Sequence, residues 1–376
     1  MELNEYRSGL DAWLDANAGE LTPGEPSQAP LDDEVEQLSR VKKALWESGW
    51  GRFGWPEIAG GQGGSVVLRA YLGEALMTRR LVSPNAYSMA EFLAPSVISF
   101  ADDELITRFV PPFLRGDVLW CQGFSEPATG SNLASLQCRA SRSGANWVVQ
   151  GQKVWTSYAQ LAEHGVLLAR TGSPDSRHEG ISAFFIDMDW PGITIRPVRT
   201  MDGIEEFCEV FYEEVEIPAE RMIGREGQGW EFAMSLLPLE RSTSLWHRGA
   251  YLRRELVHFV ETVPEDLVAP AALGQVVQQL FTLRARSRAT QYRAGAGGVL
   301  GPETSVDKLL LVETEQAMFD VVLDGMADGV VLGDDREAER WRSEFMYSRA
   351  SSIYGGSLEI QRNILAQRVL GLGRDR

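Results

Sequence analysis

Two glutamates stand where a carboxylate could act as a general base. Glu359 follows two glycines in "IYGGSLEIQRNILAQRVLGL", residues 353–372, at the head of an amphipathic stretch. There it is either a catalytic group or a charge in the first turn of a helix, with Ser357 as N-cap. Glu240 stands beside Arg241 in "AMSLLPLERSTSLW". On a helical wheel it shares a face with Ala233, Leu236, Leu237 and Ser244. A carboxylate on a mostly apolar face keeps its proton to higher pH, which suits abstraction of a proton from carbon. The plainer alternative is a glutamate at the edge of a buried stripe, paired with an arginine of a neighbouring helix. Pro238, just ahead of it, is expected to kink the helix and free a carbonyl.

Other chemistries find less support. "GGQGGSV" and "GREGQGW" lack the G-x-G-x-x-G spacing and the strand context of a dinucleotide fold. There is no phosphate-loop motif and no G-x-S-x-G nucleophile turn. Cys121, Cys138 and Cys208 are widely spaced and read as buried thiols rather than a disulfide or zinc set. His164, His178, His247 and His258 add no metal spacing, and His164 and His178 are expected at the surface beside a strand. The formal net charge of -17 argues against a nucleic-acid partner, because no basic block offsets it. The acidic N-terminus lacks the features of a secretory signal, and no stretch approaches the apolar length of a membrane span. A cytoplasmic protein is expected.

The elements that must position these residues follow from periodicity. Residues 1–116 carry the helical period, as in "LDDEVEQLSRVKKALWESGW", where Gly49 provides the stop. From residue 117 to 225 the segments are short and β-branched or aromatic, punctuated by glycine, proline and aspartate, and read as an antiparallel barrel or sandwich. From 226 to 376 the helical period returns in four or five long segments that read as a bundle.

The chain resembles the acyl-CoA dehydrogenase family over nearly its full length. The resemblance rests on "CQGFSEPATGSNLA" (121–134), "VVQGQKVWTSYAQLAEHGVLLART" (148–171), "GITIRPV" with "CEVFYEEVEIPAERMIG" (192–224), and "YGGSLEIQRNILAQRVLG" (354–371), in the family's order and spacing. It implies an N-terminal helical domain, a middle β domain and a C-terminal four-helix bundle, the order that periodicity gives. It also implies noncovalent FAD, oxidation of the Cα–Cβ bond of an acyl-CoA thioester, and an electron-transfer flavoprotein or similar acceptor.

Carried over residue by residue, the resemblance places flavin contacts at Phe124, Ser125 and Ser131 in the S-E-P-x-x-G-S element, with Ser131 also near substrate. Read alone, that element is equally a β-turn with local side-chain hydrogen bonds. Trp155 and Ser157 match the pair that packs against the flavin ring and donates to its edge, although a tryptophan on a strand is otherwise a core residue. Many members of the family carry the catalytic glutamate directly after the tyrosine of the C-terminal turn; here that position is Gly355. A second branch places the base in an E-R pair, which matches Glu240 and Arg241. The resemblance thus assigns the base to Glu240, the substrate side to Arg241 and to the Gly355 N–H, and a helix-terminal role to Glu359.

Two departures bear on assembly. The arginine element that completes the FAD site from a neighbouring subunit is replaced by "VPEDLVAPAALGQ", and the glycine loop by "ADGVVLGDD". A homo- or hetero-oligomer is expected, including pairings with a related subunit as in the branch that acts on steroid side-chain thioesters. The competing readings are an FAD-binding partner subunit with little activity of its own and a flavin-dependent oxygenase on the same fold.

Overall fold

The computed structural model describes residues 1–24, 30–264, 267–326 and 328–373. Six helices come first: α1 (Leu3–Ala16), α2 (Ala18–Leu21), α3 (Pro30–Glu47), α4 (Val66–Thr78), α5 (Pro84–Phe100) and α6 (Asp103–Arg115). Their ends follow local chemistry. Asp102 caps α6 by accepting from Leu105 N–H at 2.8 Å, and Gly116, at φ +86°, closes it in the left-handed conformation that glycine adopts without strain. Gly49 lies just past the end of α3, also at positive φ, as the sequence leads one to expect.

The strands are β1 (Trp120–Gly123), β2 (Arg139–Ser143), β3 (Asn146–Ser157), β4 (His164–Arg170), β5 (Ile181–Asp187), β6 (Ile193–Val198), β7 (Phe207–Ile217) and β8 (Met222–Ile223). They form one sheet in the order β6-β7-β3-β2-β4-β5-β8, with β1 beside β4. Most pairings are antiparallel as expected, but β1–β4 and the single β2–β4 pair are parallel. The chain therefore enters the sheet along β4 before the meander begins. Among the described residues no pairing joins β6 to β8. Phe113 of α6 stacks on Trp120 of β1 at 4.3 Å, and Phe185 of β5 meets the same indole edge-on at 4.8 Å. All three rings are buried.

The remaining helices are α7 (Gly229–Glu240), α8 (Thr243–Thr262), α9 (Pro270–Gly295), α10 (Thr304–Met326), α11 (Asp328–Leu332), α12 (Arg336–Ala350) and α13 (Leu358–Ile364). Leu252, Phe259, Leu283, Leu311, Met318, Phe319, Val322 and Trp341 form the core of the bundle made by α8, α9, α10 and α12. Inside it Arg248 donates from Nε to Glu315 at 2.8 Å, a buried ion pair that ties α8 to α10. No described helix is long and apolar enough to cross a membrane.

Two compact units result: Met1–Arg69 with Leu81–Thr200 and Ile204–Leu237, and Ala70–Arg80 with Met201–Gly203 and Pro238–Arg376. The three cysteines are buried free thiols, as their spacing suggests; burial pushes Cys121 up to about 12 and Cys138 up to about 11. His178 is exposed and stacks on Trp230 at 4.1 Å. His164 differs from its expected surface place. It is half-buried on β4, with Nδ1 2.7 Å from Asp187 and Phe109 edge-on at 5.2 Å, because the sheet folds under α6 there.

Candidate active site

The helical wheel that placed Glu240 and Ser244 on one face assumed a continuous helix, and this is corrected by the structure. Helix α7 ends at Glu240, two residues past Pro238; Arg241 and Ser242 make a turn, and Ser244 belongs to α8. Ser242 is non-helical, at φ −121° and ψ −74°. A proline near the end of a helix favours this outcome, since its ring disrupts the preceding turn. Ala233 and Leu236 are buried on α7 while Glu240 keeps partial exposure at its end.

Within the second unit this turn meets the glycine pair. A Cβ built on Gly355 would lie 2.9 Å from Glu240 Oε1 and 3.7 Å from Lys308 Nζ. Gly355 is also at φ +62°, so a larger residue there would be strained as well as crowded. Arg241 donates from Nε to the Gly355 carbonyl at 3.0 Å, and buried Gln361 donates from Nε2 to the carbonyls of Gly355 and Gly356 at 3.2 and 3.1 Å. These bonds hold the glycine turn by its carbonyls. Among the described residues the Gly355 N–H donates to no other backbone group.

Electrostatics here oppose one another. Burial pushes the Glu240 carboxyl above the usual carboxylate range, and the positive charges of Arg241 and Lys308 pull it back. Burial likewise lowers Lys308 to about 8, against the neighbouring carboxylates of Glu315 and Glu240. Glu359 behaves otherwise. It is exposed in the first turn of α13, where Ser357 is the N-cap, and its carboxyl lies below the usual range through backbone N–H groups and the Ser357 hydroxyl. Lys308 was missed in the sequence, where it reads as a charge seven residues before Glu315 on the face of a helix.

The residues matched to flavin contacts lie in the first unit. Phe124 is buried at the end of β1, with Phe232 edge-on at 6.5 Å. Ser125 accepts at its carbonyl from Val154 N–H at 3.0 Å, which brings the loop after β1 to the strand residue preceding Trp155. The turn that follows is real: Glu126 and Thr129 exchange backbone hydrogen bonds at 3.0 Å. Its anchor is Glu126, which sequence reasoning passed over. The buried carboxylate accepts from Gln137 N–H at 2.6 Å, Cys138 N–H at 2.9 Å and Lys153 Nζ at 2.8 Å. Three charge-assisted bonds fix the loop, leaving Ser131 exposed beyond it.

Trp155 is not a core residue. The residue is 57% exposed on β3, its backbone is left-handed at φ +60°, and among the described residues Phe207 meets its ring edge-on at 5.9 Å. Thr156, beside it, has a buried hydroxyl with no hydrogen-bond partner among the described residues, as does Thr129 in the turn. Ser157 is half-buried and pairs with Phe207 across the sheet. An exposed indole plane on the strand fits the face of a planar heteroaromatic ring. Of the two departing segments, residues 265, 266 and 327 lie outside the described residues.

Comparison with known proteins gives this arrangement its context. Residues 121–215 match the family description "Acyl-CoA dehydrogenase, middle domain" and residues 227–370 match "Acyl-CoA dehydrogenase, C-terminal domain". The chain is 34% identical over 385 residues to acyl-CoA dehydrogenase IpdE1 of Mycobacterium tuberculosis, covering 100% of this chain and 99% of that one. It is 33% identical over 375 residues to acyl-CoA dehydrogenase FadE34 of the same organism, covering 98% of this chain and 51% of the relative. Among solved structures, the fold matches the Tcur3481-Tcur3483 steroid ACAD with a TM-score of 0.83 at 24% identity, over 99% of this chain and 98% of that one. The ChsE4-ChsE5 complex from Mycobacterium tuberculosis matches with a TM-score of 0.80 at 24% identity, again over 99% and 98%. The chain belongs to the acyl-CoA dehydrogenase family.

Proposed function

We propose that this protein removes the α-proton of an acyl-CoA thioester with Glu240, in an FAD-dependent oxidation to the trans-2-enoyl-CoA. One observation carries the reading. Glu240 Oε1 reaches to within 2.9 Å of the point where a side chain at 355 would begin, the position at which many family members carry the base. The carboxylate thus serves the same space from another helix. Its raised proton affinity, caused by burial, suits proton abstraction from carbon. Arg241 anchors the glycine turn at the carbonyl of residue 355, the residue whose N–H would donate to a thioester oxygen. Bound FAD would accept the hydride from Cβ, held by Trp155, Ser157, Ser125, Ser131 and Phe124.

Glycine at 355 also leaves no side chain beside the thioester, which supports a branched or ring-bearing acyl group. The fold likeness to a protein described as a steroid ACAD is in keeping with that. Likewise, the likeness to the two-chain ChsE4-ChsE5 complex, with the altered segments at 263–275 and 327–335, supports assembly with a related subunit. Those altered segments also favour the second reading, a partner subunit whose FAD site is completed elsewhere. An electron-transfer flavoprotein or similar carrier would reoxidise the flavin, in the cytoplasm.

Anaerobic stopped-flow reduction of the flavin by a panel of acyl-CoA substrates tests the reading. Reduction by the purified protein, alone or with its co-purifying subunit, is expected to fall ~10²–10⁴-fold in Glu240→Gln with flavin content unchanged. Wild-type reduction rates in that variant would overturn it. Preference for straight short-chain substrates by kcat/KM would overturn the bulky-substrate part alone.

A further inference from the structure

Lys308 is the residue of this site that the proposed reaction does not use. It lies near the start of α10, fully buried, and its Nζ has no hydrogen-bond partner among the described residues. A buried ammonium carries three donors and normally satisfies them, so one left without a partner needs a reason. The ammonium lies over the ring of Tyr354 at 3.8 Å, a cation–π contact that stabilises its charge without using a donor. Tyr354 immediately precedes the glycine turn.

The charges that face Lys308 come from four elements. Glu240 lies at the end of α7 and Arg241 in the turn after it; Arg248 is on α8 and Glu315 on α10 itself. Glu315 is bound by Arg248, and Asp307, adjacent in sequence, is bound by Arg286 Nε at 3.1 Å and Thr290 Oγ1 at 3.0 Å. Arg241 spends its Nε on the Gly355 carbonyl. That leaves Glu240 as the carboxylate of this group with no hydrogen bond to a cation, and it and Lys308 reach within 2.9 and 3.7 Å of the same point above Gly355.

We infer that Lys308 is a positioning residue for Glu240: its unbonded ammonium, seated on the Tyr354 ring, faces the carboxylate across the glycine turn and holds it ionised. The inference rests on the reading of Glu240 as the base and adds the group that makes the base available. Desolvation disfavours the Glu240 anion, whereas a fixed positive charge a few ångströms away favours it. Lys308 makes no hydrogen bond to Glu240 that the incoming proton would have to break.

The test uses Lys308→Met in the FAD-loaded protein with any co-purifying subunit. Difference infrared titration of the protonated carboxyl band, assigned by its absence in Glu240→Gln, gives the Glu240 midpoint without substrate or turnover. The midpoint is expected to rise by about one pH unit or more on loss of a single neighbouring charge. The acid limb of flavin reduction should move by the same amount, so that one unit below the new midpoint the rate falls about tenfold, with the high-pH plateau retained. Lys308→Gln repeats both measurements if the methionine disturbs the fold. An unmoved Glu240 midpoint in either folded variant overturns the inference. A shifted midpoint combined with fast reduction in Glu240→Gln would keep the coupling and remove the base assignment, so the two failures are separable.

Discussion

Glu240 and residue 355 occupy one space: Glu240 Oε1 lies 2.9 Å from where a Cβ on Gly355 would stand. A Cβ at 355 would have to displace the Glu240 carboxylate tip, and the positive φ favours glycine independently. Gly355→Ala is expected to push the carboxylate aside and to strain a backbone at φ +62° by ~1–2 kcal/mol. Thermal unfolding should show the loss of stability, and stopped flow should show reduction slowed about tenfold or more with FAD content unchanged. Retention of wild-type reduction would mean that the turn relaxes around the methyl group.

The two glutamates are expected to separate cleanly. Glu240→Gln should abolish proton abstraction, since the amide keeps the shape without the basicity, whereas Glu359→Gln should leave the rate near wild type. Glu359 is exposed on the first turn of α13 with Ser357 as the N-cap, so only a charge near the helix terminus is lost. Exchange of the thioester α-hydrogen into D2O, followed by mass spectrometry, reads this step without the electron acceptor. Slow exchange in the Glu359 variant would reverse the assignment.

Lys308 should also mark the pH dependence of stability. Its folded value of about 8 lies below the ordinary lysine value of 10.5, so the unfolded chain holds more protons between those two pH values. Stability must then rise with pH across that window, by up to ~3 kcal/mol from this group, with the cost of its buried charge fully present below pH 8. Lys308→Met should flatten that part of the profile relative to wild type and be no less stable at pH 7. Urea unfolding at a series of pH values measures both; parallel profiles would contradict the buried charge.

Trp155 should matter for the cofactor and not for the fold. With the residue 57% exposed and its ring in edge contact with Phe207, Trp155→Ala is expected to change the unfolding free energy of the FAD-free protein by no more than ~0.5 kcal/mol. FAD affinity, measured by fluorescence titration, should fall about tenfold, the value of ~1–1.5 kcal/mol of ring stacking. A large loss of stability with unchanged affinity would make the tryptophan structural.

The sequence by itself determined the order of helical, sheet and helical regions, because apolar periodicity and turn residues are local properties. It also marked Glu240, Arg241 and the glycine at 355, through their match to the motifs of the family it resembles. Pro238 hinted at a break, but the sequence could not show that α7 stops at Glu240 rather than running on to Ser244, nor that Arg241 then binds Gly355 over a hundred residues away. The exposure of Trp155 was equally hidden, because a strand residue faces core or solvent according to what packs on the sheet. Only the tertiary structure placed the Lys308 ammonium beside Gly355 with no hydrogen-bond partner among the described residues. In the sequence it is one charge among many on a helix, and its meaning comes from desolvation and from charges on three other segments, which no local pattern encodes.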